Sequence, residues 1–298
     1  MRSAMATGLP AEGTCQVWWA RTVPPDDPDL LALLAGEERR RHAEFTDRRG
    51  RAAHLTARAL TRLVLAGMLR VPATGLRFEA VCRSCGGPHG KPVLRSPESP
   101  VRFSVSHSGQ WCVVAFATRT EVGVDIERLA LRGGTLPLRA LAEVERAVVT
   151  GTGVRHRTAA FVRYWTRKEA LLKATGDGLT VDPAKLTVTG PDQPAALLSW
   201  DATPAPAGPP HLSDLAAPVG YDGALATLGR PLVVSYHDGR SLLDRNRTGA
   251  AVPERHTFPI RCWPSATTWS PSVAGTQGSP SGEARSPRRR EPTPRNVR

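Results

Sequence analysis

Residues 121–128, EVGVDIER, place the tightest limit on how this chain can fold. Val122, Val124 and Ile126 alternate with Gly123, Asp125 and Glu127, the side-chain period of a β-strand. One face of that strand is apolar and the other carries two carboxylates. By strand rise they stand about 6–7 Å apart. Their repulsion is about 2 kcal/mol at an effective dielectric near 20. Two arrangements relieve it. The acidic face is turned to water, as in many antiparallel sheets, or it grips a divalent cation. Carboxylates with water and phosphate oxygens are the ligands that Mg²⁺ prefers.

The flanking segments set the fold class. Residues 15–23, CQVWWARTV, read as an opening strand. Residues 28–46 read as one amphipathic helix with Asp29 near its start, and residues 47–70 as a longer one. In the second, Leu55, Ala59, Leu63 and Ala66 keep helical spacing. VRFSVSHS, WCVVAFAT and EVGVDIE are separated by short turns and predict an antiparallel meander. Residues 139–151 and 155–176 predict two more helices, with Gly176 as a C-cap. Weak strands follow at LTVTG, AALLSW and PLVVSY, interrupted by a Pro/Ala/Gly loop at 202–210. The class is α+β. Residues 242–298, rich in Ser, Pro, Thr and Arg, predict a disordered tail.

The helix over 155–176 carries the second chemical signal. On a 100° wheel, Phe161, Tyr164, Trp165, Leu171 and Leu172 form an apolar stripe, and Lys168 falls inside it. A lysine there must snorkel or meet an anion. Glu169 and Lys173 stand one turn apart along the edge, compatible with a surface ion pair. A phosphate-and-metal site accounts for all three. Ser106, His107 and Ser108 end a strand, but no G-x-S-x-G elbow surrounds them. No GxGxxG or GxxxxGK[ST] loop is present.

The formal net charge is +13, with only four lysines, and residues 37–70 hold nine arginines against four acids. That balance favours an anionic partner: nucleic acid, a phosphorylated ligand or an acidic protein. No base-reading element accompanies it. Five scattered cysteines form no disulfide framework and fit a reducing compartment. CRSC at 82–85 lacks a second pair at zinc-finger spacing and is assigned no role. No apolar run is long enough to span a membrane, and the first residues lack an apolar export core, so a cytoplasmic protein is expected.

Four motifs stand in a fixed order: Gly90-Lys91-Pro92, FSVSHS (103–108), GVDIE (123–127) and WTRKEALLKATGDGL (165–179). Together they resemble the surfactin-type 4′-phosphopantetheinyl transferases over roughly residues 15–240. The resemblance implies two similar α/β subdomains related by a pseudo-twofold, at 15–120 and 121–241, with the site in the cleft between them. It implies transfer of the phosphopantetheine arm of coenzyme A to a serine of an apo acyl or peptidyl carrier protein. Adenosine 3′,5′-bisphosphate would leave, Mg²⁺ would be the cofactor, and polyketide or nonribosomal peptide biosynthesis the setting.

By the same resemblance Asp125, Glu127 and Glu169 are metal ligands, and Lys168 and Lys173 face the diphosphate. Ser106, His107 and Arg41 hold the 3′-phosphate, and the Lys91-Pro92 loop passes the adenine. Glu145 matches a glutamate near the family's site. Glu38 stands where relatives often carry a second basic residue. Glu169 or a metal-held water would take the acceptor proton. A monomer is expected, with no nucleic acid and no membrane as partner. Two rival classes stay open on the residues alone: a Mg²⁺-dependent phosphohydrolase or nuclease, and an arginine-rich nucleic-acid binder.

Overall fold

The structure, a computed structural model, describes residues 8–82, 85–87, 90–130 and 135–248. In chain order the first half contains β1 (Thr14–Arg21), α1 (Pro28–Ala32), α2 (Gly36–Glu44) and α3 (Arg48–Leu69). It continues with β2 (Arg77–Glu79), β3 (Val93–Ser96), β4 (Val101–Ser108) and β5 (Trp111–Thr118). The second half runs β6 (Val122–Arg128), α4 (Glu143–Gly151), α5 (Val154–Thr175), β7 (Leu186–Val188), β8 (Leu197–Trp200), β9 (Pro210–Asp214) and β10 (Tyr221–Leu228). Strand β11 (Val233–Asp238) and α6 (Arg240–Thr248) close the described chain.

The same plan is used twice. Each half gives a strand, a 22-residue helix, a two-stranded ribbon and an antiparallel pair. The sheets have matching order, β1-β5-β4 in one and β6-β10-β9 in the other. Alternation along the strands assigns their faces. Trp18, Ala20, Val114 and Phe116 pack with α3. Ala224 and Ala226 pack with α5. Val17, Trp19, Val113, Ala115, Val122, Val124 and Ile126 form a third core where the two sheets meet.

The long helices match their expected bounds because both ends are chemically marked. Asp47 accepts the Gly50 N–H at 2.9 Å and starts α3. Gly176 adopts φ 82° and stops α5. The single helix expected over 28–46 is instead two. Ala35 is extended, and its N–H donates to the Glu38 carboxylate at 2.9 Å, which starts a new helix. Glu38 also receives Nε of the buried Arg62 at 2.8 Å. A basic residue at position 38 would leave that buried guanidinium with only the carbonyls of Ala73 and Leu76 and no counter-charge from α2.

The expected meander fails at its third strand. β4 and β5 are antiparallel neighbours, but β6 pairs with β10, with Asp125 opposite Ala224. β10 reads YDGALATL, and its small residues hide a strand that the sequence reading left unassigned, along with β9. The division at residue 241 also shifts. β11 returns to run parallel to β1, Val17 beside Tyr236, and α6 places Leu243 in the first half's core. The expected tail therefore begins inside a packed helix, and residues 249–298 lie outside the described residues.

Lys168 is corrected. It does not face the cleft: it is fully buried, and its ammonium forms an ion pair with Glu145. It also donates to the carbonyls of Pro183 at 3.0 Å and Ala140 at 3.3 Å. Burial pulls its pKa down, and the Glu145 charge opposes that pull. The anion that the apolar stripe demands is thus supplied from α4, inside the second half. Replacing Lys168 by Met should leave a buried carboxylate without its counter-charge and cost about 3–5 kcal/mol, read by urea unfolding. Wild-type stability with weakened ligand binding would return Lys168 to the cleft.

Helix α5 crosses β6 at very short range. A Cβ at Gly123 would stand 2.0 Å from the Ala170 carbonyl oxygen and 2.3 Å from the Ala174 amide nitrogen. Both are backbone atoms of the same helix and cannot swing aside. Gly123→Ala should cost about 1–3 kcal/mol in the same urea titration, and unchanged stability would mean that α5 is free to lift.

Candidate active site

The close approach at Gly123 fixes what lies beside it. Asp125 and Glu127 share its face of β6, so they point at α5 rather than at open water. Asp125 is only 3% exposed. From α5, Glu169 and Lys173 project toward the same place, one helical turn apart. The Lys173 ammonium lies 2.6 Å from Asp125 Oδ1 and donates to Ser106 Oγ at 2.9 Å. Ser106 in turn donates to Asp125 Oδ1 at 2.7 Å, and Ser108 donates to Glu127 Oε2 at 2.7 Å.

The electrostatics show three acids competing for one space. Burial raises the pKa of Glu127, and the Asp125 charge raises it further. Burial pushes Glu169 up to about 7 against the pull of Lys173, with Asp125 and Glu127 adding to the rise. Two buried oxygens, Asp125 Oδ2 and Glu169 Oε1, have no hydrogen-bond partner among the described residues. Orphaned buried acceptors on repelling carboxylates call for positive charge. The donor set is all oxygen, which suits a hard divalent cation. The groups do not already form a closed cage: among the described residues no three Asp, Glu, His or Cys side chains converge as a metal cluster. Lys173 holds the position beside Asp125 instead.

A cleft of about 400 Å³ opens next to Lys173, lined by Gly90, Lys91, Pro92, Gly176 and Leu179 among others. Its loop is clamped. A Cβ on Gly90 would stand 2.1 Å from the Val81 carbonyl oxygen. The Lys91 ammonium bonds Glu121 Oε2 at 2.7 Å and the carbonyls of Ala174 and Val122 at 2.9 and 3.0 Å. Lys91 thus straps the loop to β6 and α5, and Pro92 beside it contributes to the cleft wall. Of the CRSC segment, Cys82 is buried and Cys85 exposed, while residues 83 and 84 lie outside the described residues.

A basic group lies across β4 from the acids. His107 follows Ser106 and turns to the opposite face. Arg41, exposed on α2, and His107 both act on His54, as do Arg58 and His42. Burial first, and then these positive neighbours, lower the His54 pKa to about 3, so its ring is neutral at neutral pH. Neither of its ring nitrogens has a partner among the described residues. The site residues named from sequence therefore separate only in part. Ser106 joins the acids and Arg41 acts on His54, whereas His107 is linked to both groups: burial and the Lys173 charge lower its pKa and the Asp125 charge opposes them. Arg58 was not singled out from the sequence, although it follows His54 by four residues on α3 and so shares its face.

Two family matches follow the chain in order. The 4′-phosphopantetheinyl transferase N-terminal family matches residues 25–119, and the 4′-phosphopantetheinyl transferase superfamily matches residues 121–219. A putative 4′-phosphopantetheinyl transferase of Synechocystis is 34% identical over 55% of this chain and 66% of its own length. The 4′-phosphopantetheinyl transferase HetI of Nostoc is 31% identical over 59% of this chain and 75% of its own. The Bacillus subtilis transferase Sfp is more distant, 24% identical over 51% of this chain and 64% of its own. The boundary between the two matches falls at the turn between β5 and β6, where the repeated plan begins again. With one half matched to each family, the chain belongs to the 4′-phosphopantetheinyl transferase superfamily.

Proposed function

We propose that this chain transfers the 4′-phosphopantetheine group of coenzyme A to a serine of an apo acyl or peptidyl carrier protein, releasing adenosine 3′,5′-bisphosphate. One observation carries the reading. Asp125 Oδ2 and Glu169 Oε1 are buried without partners among the described residues, next to an ammonium, at the edge of an open cleft. The pattern is that of the surfactin-type enzymes, with both halves in a single chain.

Asp125, Glu127 and Glu169 would hold the divalent cation, Mg²⁺ by the all-oxygen donor set. When bound, it supplies positive charge to the diphosphate oxygens as the leaving group departs. Lys173, released from Asp125, carries its ammonium to those same oxygens. The strapped Lys91-Pro92 loop gives the nucleotide a firm wall; Arg41 and Arg58 offer positive charge for the 3′-phosphate, and His107 and the neutral His54 offer ring nitrogens beside it. Much of the rate gain is positioning, since the nucleophile arrives on another protein. Exposed arginines on α2 and the start of α3 steer an acidic carrier toward the cleft. No helix among the described residues is long and apolar enough to cross a membrane. A monomeric cytoplasmic enzyme accords with this reading.

The direct test incubates the protein with Mg²⁺, coenzyme A and a panel of apo-carrier proteins, and weighs each carrier for the added arm. Phosphate release without any carrier gain would favour a phosphohydrolase instead. Asp125→Asn and Glu169→Gln should each lower transfer by about 100-fold or more with the fold intact by circular dichroism; turnover near wild type in either would remove that residue from the metal set. Lys173→Ala should weaken coenzyme A binding about 10- to 100-fold by calorimetry, and an unchanged affinity would deny it the diphosphate.

A further inference from the structure

Strand β4 meets β6 without a backbone ladder. Three alternate serines take its place. Ser104 Oγ accepts the Val124 N–H at 3.0 Å, Ser106 Oγ the Ile126 N–H at 3.4 Å, and Ser108 Oγ the Arg128 N–H at 3.1 Å. A hydroxyl has one proton and two lone pairs. In Ser106 and Ser108 the proton goes to the carboxylate one residue before the amide it binds, Asp125 or Glu127, each at 2.7 Å. Each of these serines therefore holds β6 at two points: the backbone at one residue and the acid at its neighbour. Ser104 has no such acid, because Gly123 stands at the equivalent place.

We propose that Ser108 is a positioning residue that sets the Glu127 carboxylate for the cation, an inference that rests on the metal assignment made under the proposed function. Glu127 needs such a hold more than Asp125 does. Its side chain is longer, with more rotamer freedom to lose. It sits near the end of β6, only half-buried, and lacks the Lys173 contact that pins Asp125; besides Ser108 its carboxylate is met by the Trp165 side chain from α5. Its backbone neighbour, the Arg128 N–H, is exposed, so water replaces that bond if the hydroxyl is removed. The part of Ser108 that water does not replace is the fixed direction of its proton toward Oε2. Outer partners of ligating carboxylates govern metal affinity by about 10- to 100-fold.

The test titrates the full chain with Mn²⁺ alone and reads free Mn²⁺ by electron paramagnetic resonance, with no substrate present. Ser108→Ala should weaken binding about tenfold, and Ser108→Thr, which restores the hydroxyl, should bind within about twofold of wild type. Ser104→Ala should lower the urea midpoint yet leave Mn²⁺ affinity within about twofold of wild type, because that hydroxyl meets only backbone. If the wild type binds Mn²⁺, Asp125→Asn does not, and Ser108→Ala binds as the wild type does, the positioning role is overturned and the metal assignment stands. If the wild type fails to bind Mn²⁺, or Asp125→Asn binds equally well, the metal assignment falls and this inference with it.

Discussion

Strand β6 is held differently along its two edges, and the rest of the molecule follows from that. On one edge it forms an ordinary antiparallel ladder with β10. On the other its amides are met by serine hydroxyls from β4. A ladder of backbone bonds on both edges would have merged the two halves into one sheet. Side-chain hydroxyls keep them as two, yet satisfy every second amide of β6 along the join. They also bring three hydroxyls to the face where the acids stand.

Two glycines then decide distances that no side chain could. Gly123 lets the α5 backbone lie on β6, and this brings Glu169 and Lys173 within reach of Asp125. Gly90 lets its loop press on Val81, and Lys91 ties the same loop to β6 and to the end of α5. Strand, helix and loop are thus locked to one another around the cleft before any ligand enters. The acids cannot relax apart from their mutual repulsion, so burial and crowding show themselves as raised carboxyl pKa values and unpaired oxygens.

Much of this was legible in the sequence, and what was missed has physical reasons. Asp47 and Gly176 mark helix ends by local chemistry, and local chemistry reads well from sequence. The acids of β6 and α5 were legible through periodicity. Partners distant in sequence were not. The apolar stripe showed that Lys168 needs an anion but not which one, and a buried Glu145 serves as well as a phosphate. The short turn after β5 pointed to a meander because nothing local shows that serines will take the place of a ladder. β10 escaped because Ala224 and Ala226 are small so as to fit beneath α5, Gly223 on the other face has no side chain at all, and small residues carry little strand signal. The parallel pairing of β1 with β11 joins the two extremes of the described fold, beyond any local pattern.

That pairing has a bearing on how the protein is made. The first sheet lacks its outer strand until Val233–Asp238 has been synthesised, and Leu60 on α3 lacks part of its cover until Gly239 arrives against it. Leu243 seals the same core later still. A nascent chain leaving the ribosome therefore carries an unfinished amino-terminal half through the whole translation of the carboxy-terminal one. The portion with the basic helices, though first to emerge, is the last to be completed.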